Sequence, residues 1–403
     1  MRLRHLSAPT AAHAGTAQAT KVTFALVCLS TLGTFVAQGL LYPSLPLYLT
    51  TELGTSKAVA GLVVSVLALT SIAIRPWAGG FIDRVGRRPL LIAGPILGAV
   101  SAVGLLTLRS VLAVMVMRLI QGAGSALTYS AAVASVADVA PPQRRAGYLA
   151  LFSTFFYVGF ALGPFIAELL IRSAGFSSVW WTVGGFTALG AVVATFVCET
   201  RPATLSAPPK VPMVHRLFHP AARLPGMVFF SIGIGWTAVA SFLSLYARDI
   251  GLSNSDVLFL ALSVSVLATR FLSGGLADRF GRVAVAVPSI VAVVAGLAGL
   301  ALFDSPMAAI ISLVVFGVGY SGGFPALLTM VVDRAPDRER GVAMASFNVY
   351  FDIGAPIGGY GVGQLIDWGG FPLGFGVCAV AAAAGLLFLP AMRGAARPRG
   401  VPL

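Results

Sequence analysis

Twelve long apolar runs constrain this chain more than any other feature. They lie at about 22–49, 57–81, 89–108, 111–137, 147–170, 178–198, 224–247, 255–277, 284–303, 306–332, 342–366 and 372–391. Most exceed the length of roughly 18 residues at which an apolar stretch reads as a helix crossing a bilayer. Of the 403 residues, 57 % are apolar and only 10 % charged, against about 25 % charged in a soluble domain. One water-soluble globule is excluded, and so is a soluble enzyme on a single anchor. Pro43, Pro46, Pro164, Pro325 and Pro356 stand inside the runs, where soluble helices break but membrane helices persist. An all-α membrane protein with twelve transmembrane helices is expected.

The rare residues exclude further classes. Lys21, Lys57 and Lys210 are the lysines, and none follows a glycine, so no Walker A phosphate loop is present. His5, His13, His215 and His219 all fall outside the runs, which leaves no HExxH pair; metals and cofactors are not expected. Cys28, Cys198 and Cys378 are odd in number and sit in or at the end of runs; they read as small hydrophobes rather than a disulfide framework. No catalytic constellation remains for a membrane enzyme. The net charge of +13 reads as membrane topology, not as nucleic-acid binding, because the basic residues lie mostly between runs.

Their distribution gives an orientation. With the amino terminus in the cytoplasm, 20 arginines and lysines fall on inner loops and tails and 4 on the outer side, leaving Arg75, Arg118 and Arg270 inside runs. The positive-inside rule then places both termini in the cytoplasm. The Arg-over-Lys bias, 24 against 3, suggests a high-GC bacterium and its cytoplasmic membrane. The expected organisation is a cytoplasmic tail over 1–21, a six-helix bundle over 22–198, a proline-rich cytoplasmic linker over 199–223, a second bundle over 224–391 and a tail over 392–403.

The two halves repeat each other. A shift of 195 positions carries Arg75 onto Arg270, Gly79 onto Gly274, Asp83 onto Asp278, Arg84 onto Arg279, Gly86 onto Gly281 and Arg87 onto Arg282. The same shift carries Gly122 onto Gly317, Asp138 onto Asp333, Pro141 onto Pro336 and Arg145 onto Arg340. An even number of helices per half makes the repeats parallel, around an axis normal to the membrane.

Gly79-Gly80-Phe81-Ile82-Asp83-Arg84-Val85-Gly86-Arg87-Arg88 resembles the signature loop between the second and third helices of the major facilitator superfamily, and Gly274-Gly275-Leu276-Ala277-Asp278-Arg279-Phe280-Gly281-Arg282 resembles its second copy. The likeness extends over about 22–391. It implies two pseudo-symmetric six-helix bundles and a cytoplasmic gate built from Gly79, Asp83, Arg84, Arg87 and Asp138 and from Gly274, Asp278, Arg279, Arg282 and Asp333. Arg118-Leu119-Ile120-Gln121-Gly122-Ala123-Gly124 is similar to the family's fourth-helix motif, whose arginine is associated with proton coupling. An arginine at that depth is a functional candidate on cost alone, at least ~2.5 kcal/mol on insertion scales. Leu313 stands at its repeat position. The segment from Gly159 to Glu168 partly resembles the family's antiporter motif, with Ala167 and Glu168 in place of the final glycines; Gly354 to Gly359 is a looser echo.

Acidic residues inside the runs are few, and Asp352 and Glu168 are the informative ones. Asp352 is a proton-carrying candidate, with Arg75 on the facing helix as its expected partner. The pseudo-symmetric position sets Arg270 beside the fifth helix at Tyr157. Glu168 joins Arg118, Asp352 and Arg75 as a candidate for proton coupling, although it is also four residues before Arg172, which suits an i,i+4 pair. If helices one, four, seven and ten line the cavity as the resemblance implies, its candidates are Gln38, Tyr42, Gln121, Tyr129, Trp236, Phe316, Tyr320 and Phe324, beside Arg118. Such a lining, aromatic with few amides, suits amphipathic or aromatic compounds. The reading is a proton-coupled exporter of small, largely apolar compounds acting as a monomer, with protons, a small-molecule substrate and the bilayer as partners. The alternative is an importer or facilitator of a polar nutrient such as a sugar or organic acid.

Overall fold

The computed structural model of the protein describes residues 11–141, 144–201, 214, 217–272, 279–336 and 339–393; within these, the side chains of 11–19, 75, 76, 78–80, 83, 145, 146, 150 and 393 lie outside the description. Helix α1 is Ala11–Thr51, α2 Lys57–Val85, α3 Arg87–Thr107 and α4 Val111–Val139. The helical stretch Arg145–Thr195 breaks at Gly175 (φ 74) into α5 (145–174) and α6 (176–195). A short turn, Pro220–Ala222, leads into α7, Arg223–Asp249. Then come α8, Asp256–Leu272, α9, Arg282–Leu302, and α10, Pro306–Arg334. Arg340–Pro356 continues through a π turn, Ile357–Gly361, into Val362–Leu386, which breaks at Gly369 and Gly370; this gives α11 (340–368) and α12 (371–386). Among the described residues nine helical segments are long and apolar enough to cross a bilayer, and two of them, of 49 and 53 residues, are the broken pairs. Counting both arms of each, and α8 with its 17 residues, gives twelve spans in two bundles.

The break points repeat as the sequence does. Gly86 (φ 105) and Gly281 (φ 89) turn the chain between the second and third helices of each half. Gly175 (φ 74) and Gly370 (φ 73) divide the fifth from the sixth. Each pair is 195 residues apart, and each position needs a left-handed backbone that a side chain disfavours. Serine caps open equivalent helices in the same way: Ser110 Oγ accepts the Ala113 N–H and Ser305 Oγ that of Ala308, which satisfies a donor that the first turn leaves unpaired.

Packing inside each half relies on glycine. A Cβ at Gly159 would lie 2.6 Å from Phe35 and one at Gly163 2.5 Å from Gly39, so α5 lies directly on α1. Gly354 and Gly358, their repeat partners, press on backbone carbonyls of Phe230 and Ile234 in α7. The glycines of the antiporter-like segment are thus a helix-packing surface. Large apolar side chains, among them Leu112, Trp181, Phe271, Leu272, Leu302 and Val380, face outward, as a lipid-facing surface requires.

Two features differ from expectation. Helix α1 begins at Ala11, inside the expected 1–21 tail; alanine-rich sequence is helical by intrinsic propensity without lipid. Most of the expected linker, 202–213, lies outside the described residues. Its far part is not a solvated loop: His219 is 3 % exposed. Its backbone N–H donates to Ser346 Oγ at 2.7 Å and its Nε2 meets Glu339 Oε2 at 2.9 Å. This histidine pins the start of α7 to the start of α11. The turns at Gly86 and Gly281, with Arg84, Arg87, Arg88, Arg279 and Arg282 around them, share one end of the bundle, the basic end.

Candidate functional site

At the basic end the Gly86 turn delivers Arg87 inward. Its Nε donates to Asp138 Oδ2 on α4 at 2.9 Å, and its Nη1 to the Ile82 carbonyl at 3.4 Å. The side chain is almost fully buried, so its charge has reason to be paired. Arg282 and Asp333 form the equivalent pair in the second half. Glu199, absent from the sequence-derived candidates, completes the first site. Its carboxylate accepts the N–H groups of Arg87 (2.9 Å) and Arg88 (3.1 Å), the first residues of α3, and of Arg201 (2.9 Å). An anion there faces the positive end of the α3 dipole. A Cβ at Gly86 would meet Glu199 Oε2 at 2.6 Å, so that glycine is required by contact as well as by φ. Arg84 accepts from Arg201 through its backbone carbonyl, and Arg279 lies over Phe280; neither joins the Asp138 or Asp333 pair. Gly79 lies on α2, and the side chain of Asp83 and the residues Gly274 and Asp278 lie outside the described residues.

Burial raises the Glu199 carboxyl, but the N–H groups of Arg87, Arg201, Arg88 and Thr200 outweigh it and hold the group below its usual range. A lowered carboxyl stabilises the fold at pH above its ordinary range, and that share is lost as pH falls through the lowered value. Glu199→Gln is expected to lower the melting temperature at neutral pH by roughly 2–4 °C, the effect of losing a cap worth ~1 kcal/mol. The difference from the unaltered protein should shrink as pH falls from about 7 to about 3, read by scanning fluorimetry in detergent. A constant difference across that range would remove the ionised carboxylate from the explanation.

The opposite end is closed by contacts between the halves. Asp367 of α11 accepts the Lys57 N–H (3.1 Å) and Ala58 N–H (2.9 Å) that open α2. Glu168 of α5 accepts the Ser255 N–H (3.3 Å) ahead of α8 and the Ser244 hydroxyl (3.4 Å) of α7. Each half therefore sends a carboxylate to the helix start of the other. The i,i+4 pairing of Glu168 with Arg172 does not form: Arg172 reaches Asp256 at 3.4 Å, because the backbone donors of the facing half satisfy Glu168 in a buried position, 8 % exposed. Beside these latches α2 and α11 touch backbone to backbone at Gly61 and Gly359, and Ser65 Oγ donates to the Ala355 carbonyl at 3.3 Å.

Between the two ends lies the charged interior. Arg118 is 1 % exposed and does not reach for the surface. It donates through Nη1 to Gln121 Oε1 and through Nη2 to the Val64 carbonyl of α2 at 3.2 Å. Its Nε is buried without a hydrogen-bond partner among the described residues. Tyr42 of α1 feels the charges of both Arg118 and Asp352, so α1, α2, α4 and α11 converge there. Gln38 Nε2 donates to Ser125 Oγ across α1 and α4. Arg75 belongs to α2, with its side chain outside the described residues.

The aromatic candidates divide. Trp236 and Tyr320 stack at 4.1 Å and 13°, joining α7 to α10. Phe324 packs between Phe229 (5.2 Å) and Tyr157 (5.3 Å). Phe316 is wholly buried against Gly296 of α9 and stacks at 6.3 Å on both Trp236 and Tyr320. Tyr129 sits with Phe35, Phe152 and Phe156 inside the first half. Tyr157 of α5 is the residue that spans the halves: its ring meets Tyr320 at 6.1 Å, and the Arg270 guanidinium lies 4.1 Å above it. Arg270 thus stands beside Tyr157, where the repeat put it. A narrow cleft between α5, α7 and α8, bounded by Phe160, Pro164, Trp236, Phe259 and Val266, opens nearby. Among the described residues no group of His, Cys, Asp and Glu can hold a metal ion.

Comparison with known proteins agrees with this architecture. The sequence matches the Major Facilitator Superfamily profile over residues 27–359 and 226–401. It is 27 % identical over 395 residues to an uncharacterized MFS-type transporter of Burkholderia pseudomallei (strain 1106a), covering 94 % of this chain and 92 % of that one. It is 24 % identical over 355 residues to the uncharacterized MFS-type transporter YhhS of Escherichia coli (strain K12), covering 86 % of each. Among solved structures, the human organic anion transporter MFSD10 (TETRAN) superposes with a TM-score of 0.71 at 20 % identity, over 92 % of this chain and 99 % of that one. A mutant of the nucleoside transporter NupG superposes with a TM-score of 0.72 at 14 % identity, over 93 % and 100 %. With twelve helices in two repeated bundles and a profile match along most of its length, the chain belongs to the Major Facilitator Superfamily of membrane transporters.

Proposed function

We propose that this transporter exports small amphipathic, largely apolar compounds in exchange for protons. The observation that carries the reading is the composition of the interface between the halves. Tyr157, Trp236, Tyr320 and Phe324 supply aromatic surface, while hydrogen-bonding side chains are few. A sugar site needs several such groups; an aromatic or amphipathic compound needs few. Arg118, Tyr42 and Asp352 supply the proton-linked part of the reading: buried ionisable groups inside a membrane are costly and are retained for ion coupling.

The basic end is cytoplasmic in this reading, because the bias of 20 to 4 obeys the positive-inside rule. Residues 22–198 and 224–391 are the two moving halves, joined by the segment 199–223. The carboxylate latches at Glu168 and Asp367 then close the outer side, and the network around Gly79, Asp83, Arg84, Arg87 and Asp138, with its second copy at Gly274, Asp278, Arg279, Arg282 and Asp333, governs the cytoplasmic side. Alternating access exchanges the two closures around the central aromatics. Inverted membrane vesicles test the proposal with three pyrene probes, one anionic, one neutral and one cationic. Uptake of at least one probe that depends on an acidic lumen and collapses with an uncoupler is expected. Absence of proton-dependent uptake for all three, with gradient-independent entry of a sugar or organic acid instead, would favour an importer.

A further inference from the structure

The interior of this protein carries more positive charge than its own side chains answer. Arg75, Arg118 and Arg270 stand inside the runs, against Asp352, Glu168 and Asp256; Glu168 is engaged at the outer latch and Asp256 with Arg172. Arg270 is the informative member. Its repeat equivalent is Arg75, for which the sequence offers Asp352 as a partner. On its own side the equivalent position is Tyr157, a neutral ring. The Arg270 guanidinium carbon lies 4.1 Å from the centre of that ring and 5.7 Å from that of Phe324. Its Nη1 is buried with no hydrogen-bond partner, and no carboxylate lies within ion-pair distance of it, among the described residues. The ring face attracts the cation but accepts none of its in-plane N–H bonds. An enclosed guanidinium N–H without an acceptor carries a desolvation cost that a carboxylate in the guanidinium plane removes, through two charge-assisted bonds.

Resting on the export reading, we propose that Arg270 is an anion subsite and that the transported compound carries a carboxylate at one end of an aromatic body. Aromatic surface lies beside Arg270 and the cleft next to it is closed to little more than a water in this state, so the compound enters when the halves part. Arg270 lies in the last turn of α8, which ends at Leu272 on the basic side, so the carboxylate enters first from that side. Val266, one helical turn away on α8, lines the narrow cleft that Trp236 also bounds. Tyr157 links the two places, touching Arg270 on one side and Tyr320 on the other. The carboxylate sits at Arg270 and the apolar body lies toward the Trp236–Tyr320 stack.

The test compares 1-pyrenebutyrate, its neutral amide and a pyrene ammonium of the same length in inverted vesicles holding the full-length protein. The unaltered transporter is expected to take up the carboxylate with a KM at least tenfold below that of the amide. Arg270→Gln should raise the carboxylate KM at least tenfold and leave the amide KM within about twofold. Arg270→Lys, which keeps the charge without the planar fork, should fall between them; it decides the matter if the Gln variant does not reach the membrane. Equal losses for carboxylate and amide in both variants would make Arg270 a structural residue and overturn the proposal. Proton-dependent uptake of the ammonium or amide in preference to the carboxylate would overturn the anion subsite and leave export standing. Uptake of none of the probes would overturn both.

Discussion

Gly61→Leu is expected to reduce transport roughly 10–100-fold while the protein remains folded in the membrane. A Cβ at Gly61 would fall 2.1 Å from the Gly359 carbonyl oxygen, and one at Gly359 would fall 2.5 Å from that of Gly61. The neighbours are backbone, so no side-chain rotation relieves the contact. Overpacking costs about 1–3 kcal/mol where side chains can move, and more where helices must separate. This contact joins α2 to α11, one helix from each half. The packing inside each half does not depend on it: α5 rests on α1 at Gly39, Gly159 and Gly163, and α11 on α7 at Gly354 and Gly358. The substitution therefore opposes closure of the outer side and leaves the bundles intact. Spin labels at Glu52 and Trp368, both exposed, should move apart by at least about 3 Å, the widening that a leucine requires at a glycine helix contact. Asp367→Asn is the milder comparison. It keeps an acceptor for the Lys57 and Ala58 N–H groups but removes the charge that favours a helix start, so it should populate the separated distance only in part. Unchanged distances in the leucine variant would show that the two helices part elsewhere and that the outer closure lies at the Glu168 latch alone.

The helices and the duplication could be read from hydropathy and spacing because both are local or periodic. Membrane helices announce themselves by length, and the repeat preserves the residues with special backbone needs, so Gly86 and Gly281, or Gly175 and Gly370, take the same positive φ. The Arg87–Asp138 and Arg282–Asp333 pairs were legible for the same reason. What spacing does not reveal is a side chain whose partner is backbone from another element. Glu199 binds the first N–H groups of α3, and nothing in its neighbourhood marks it except its rarity, since Glu168 and Glu199 are the acidic residues between Asp138 and Asp249. Glu168 shows the converse error. A local i,i+4 partner was available in Arg172, but the tertiary fold offered Ser244 and Ser255, and buried donors outcompete an exposed arginine. His219 lies in a proline-rich polar stretch that reads as solvated; burial against Ser346 and Glu339 comes from the second half folding over it. Tyr129 has the residue type of a cavity wall and its ring neighbours Phe35, Phe152 and Phe156 lie in its own bundle, while Phe316 stacks on Trp236 and Tyr320; residue type alone cannot separate the two environments.

Arg118→Lys tests the coupling part of the proposed function, because it keeps the charge and removes the shape. The guanidinium reaches two elements at once: Nη1 to Gln121 on its own helix and Nη2 to the Val64 carbonyl on α2. A lysine ammonium is one point with three donors on a flexible stem, and it does not hold both directions with the same geometry. Arg118 is 1 % exposed, so water does not replace the lost bond. Tyr42 lies in the field of this charge; a displaced ammonium alters the balance between proton binding and the two orientations of the carrier. Uphill accumulation of probe, driven by an imposed proton gradient, is expected to fall roughly tenfold or more, a loss of about 1.4 kcal/mol in coupling. Exchange of labelled for unlabelled probe without a gradient should stay within about twofold, because binding and reorientation with substrate do not require the proton step. A parallel fall in both measurements would assign Arg118 to the packing of α2 on α4. Full accumulation in the lysine variant would remove Arg118 from coupling altogether and leave Asp352 and Tyr42 as the groups to be tested next.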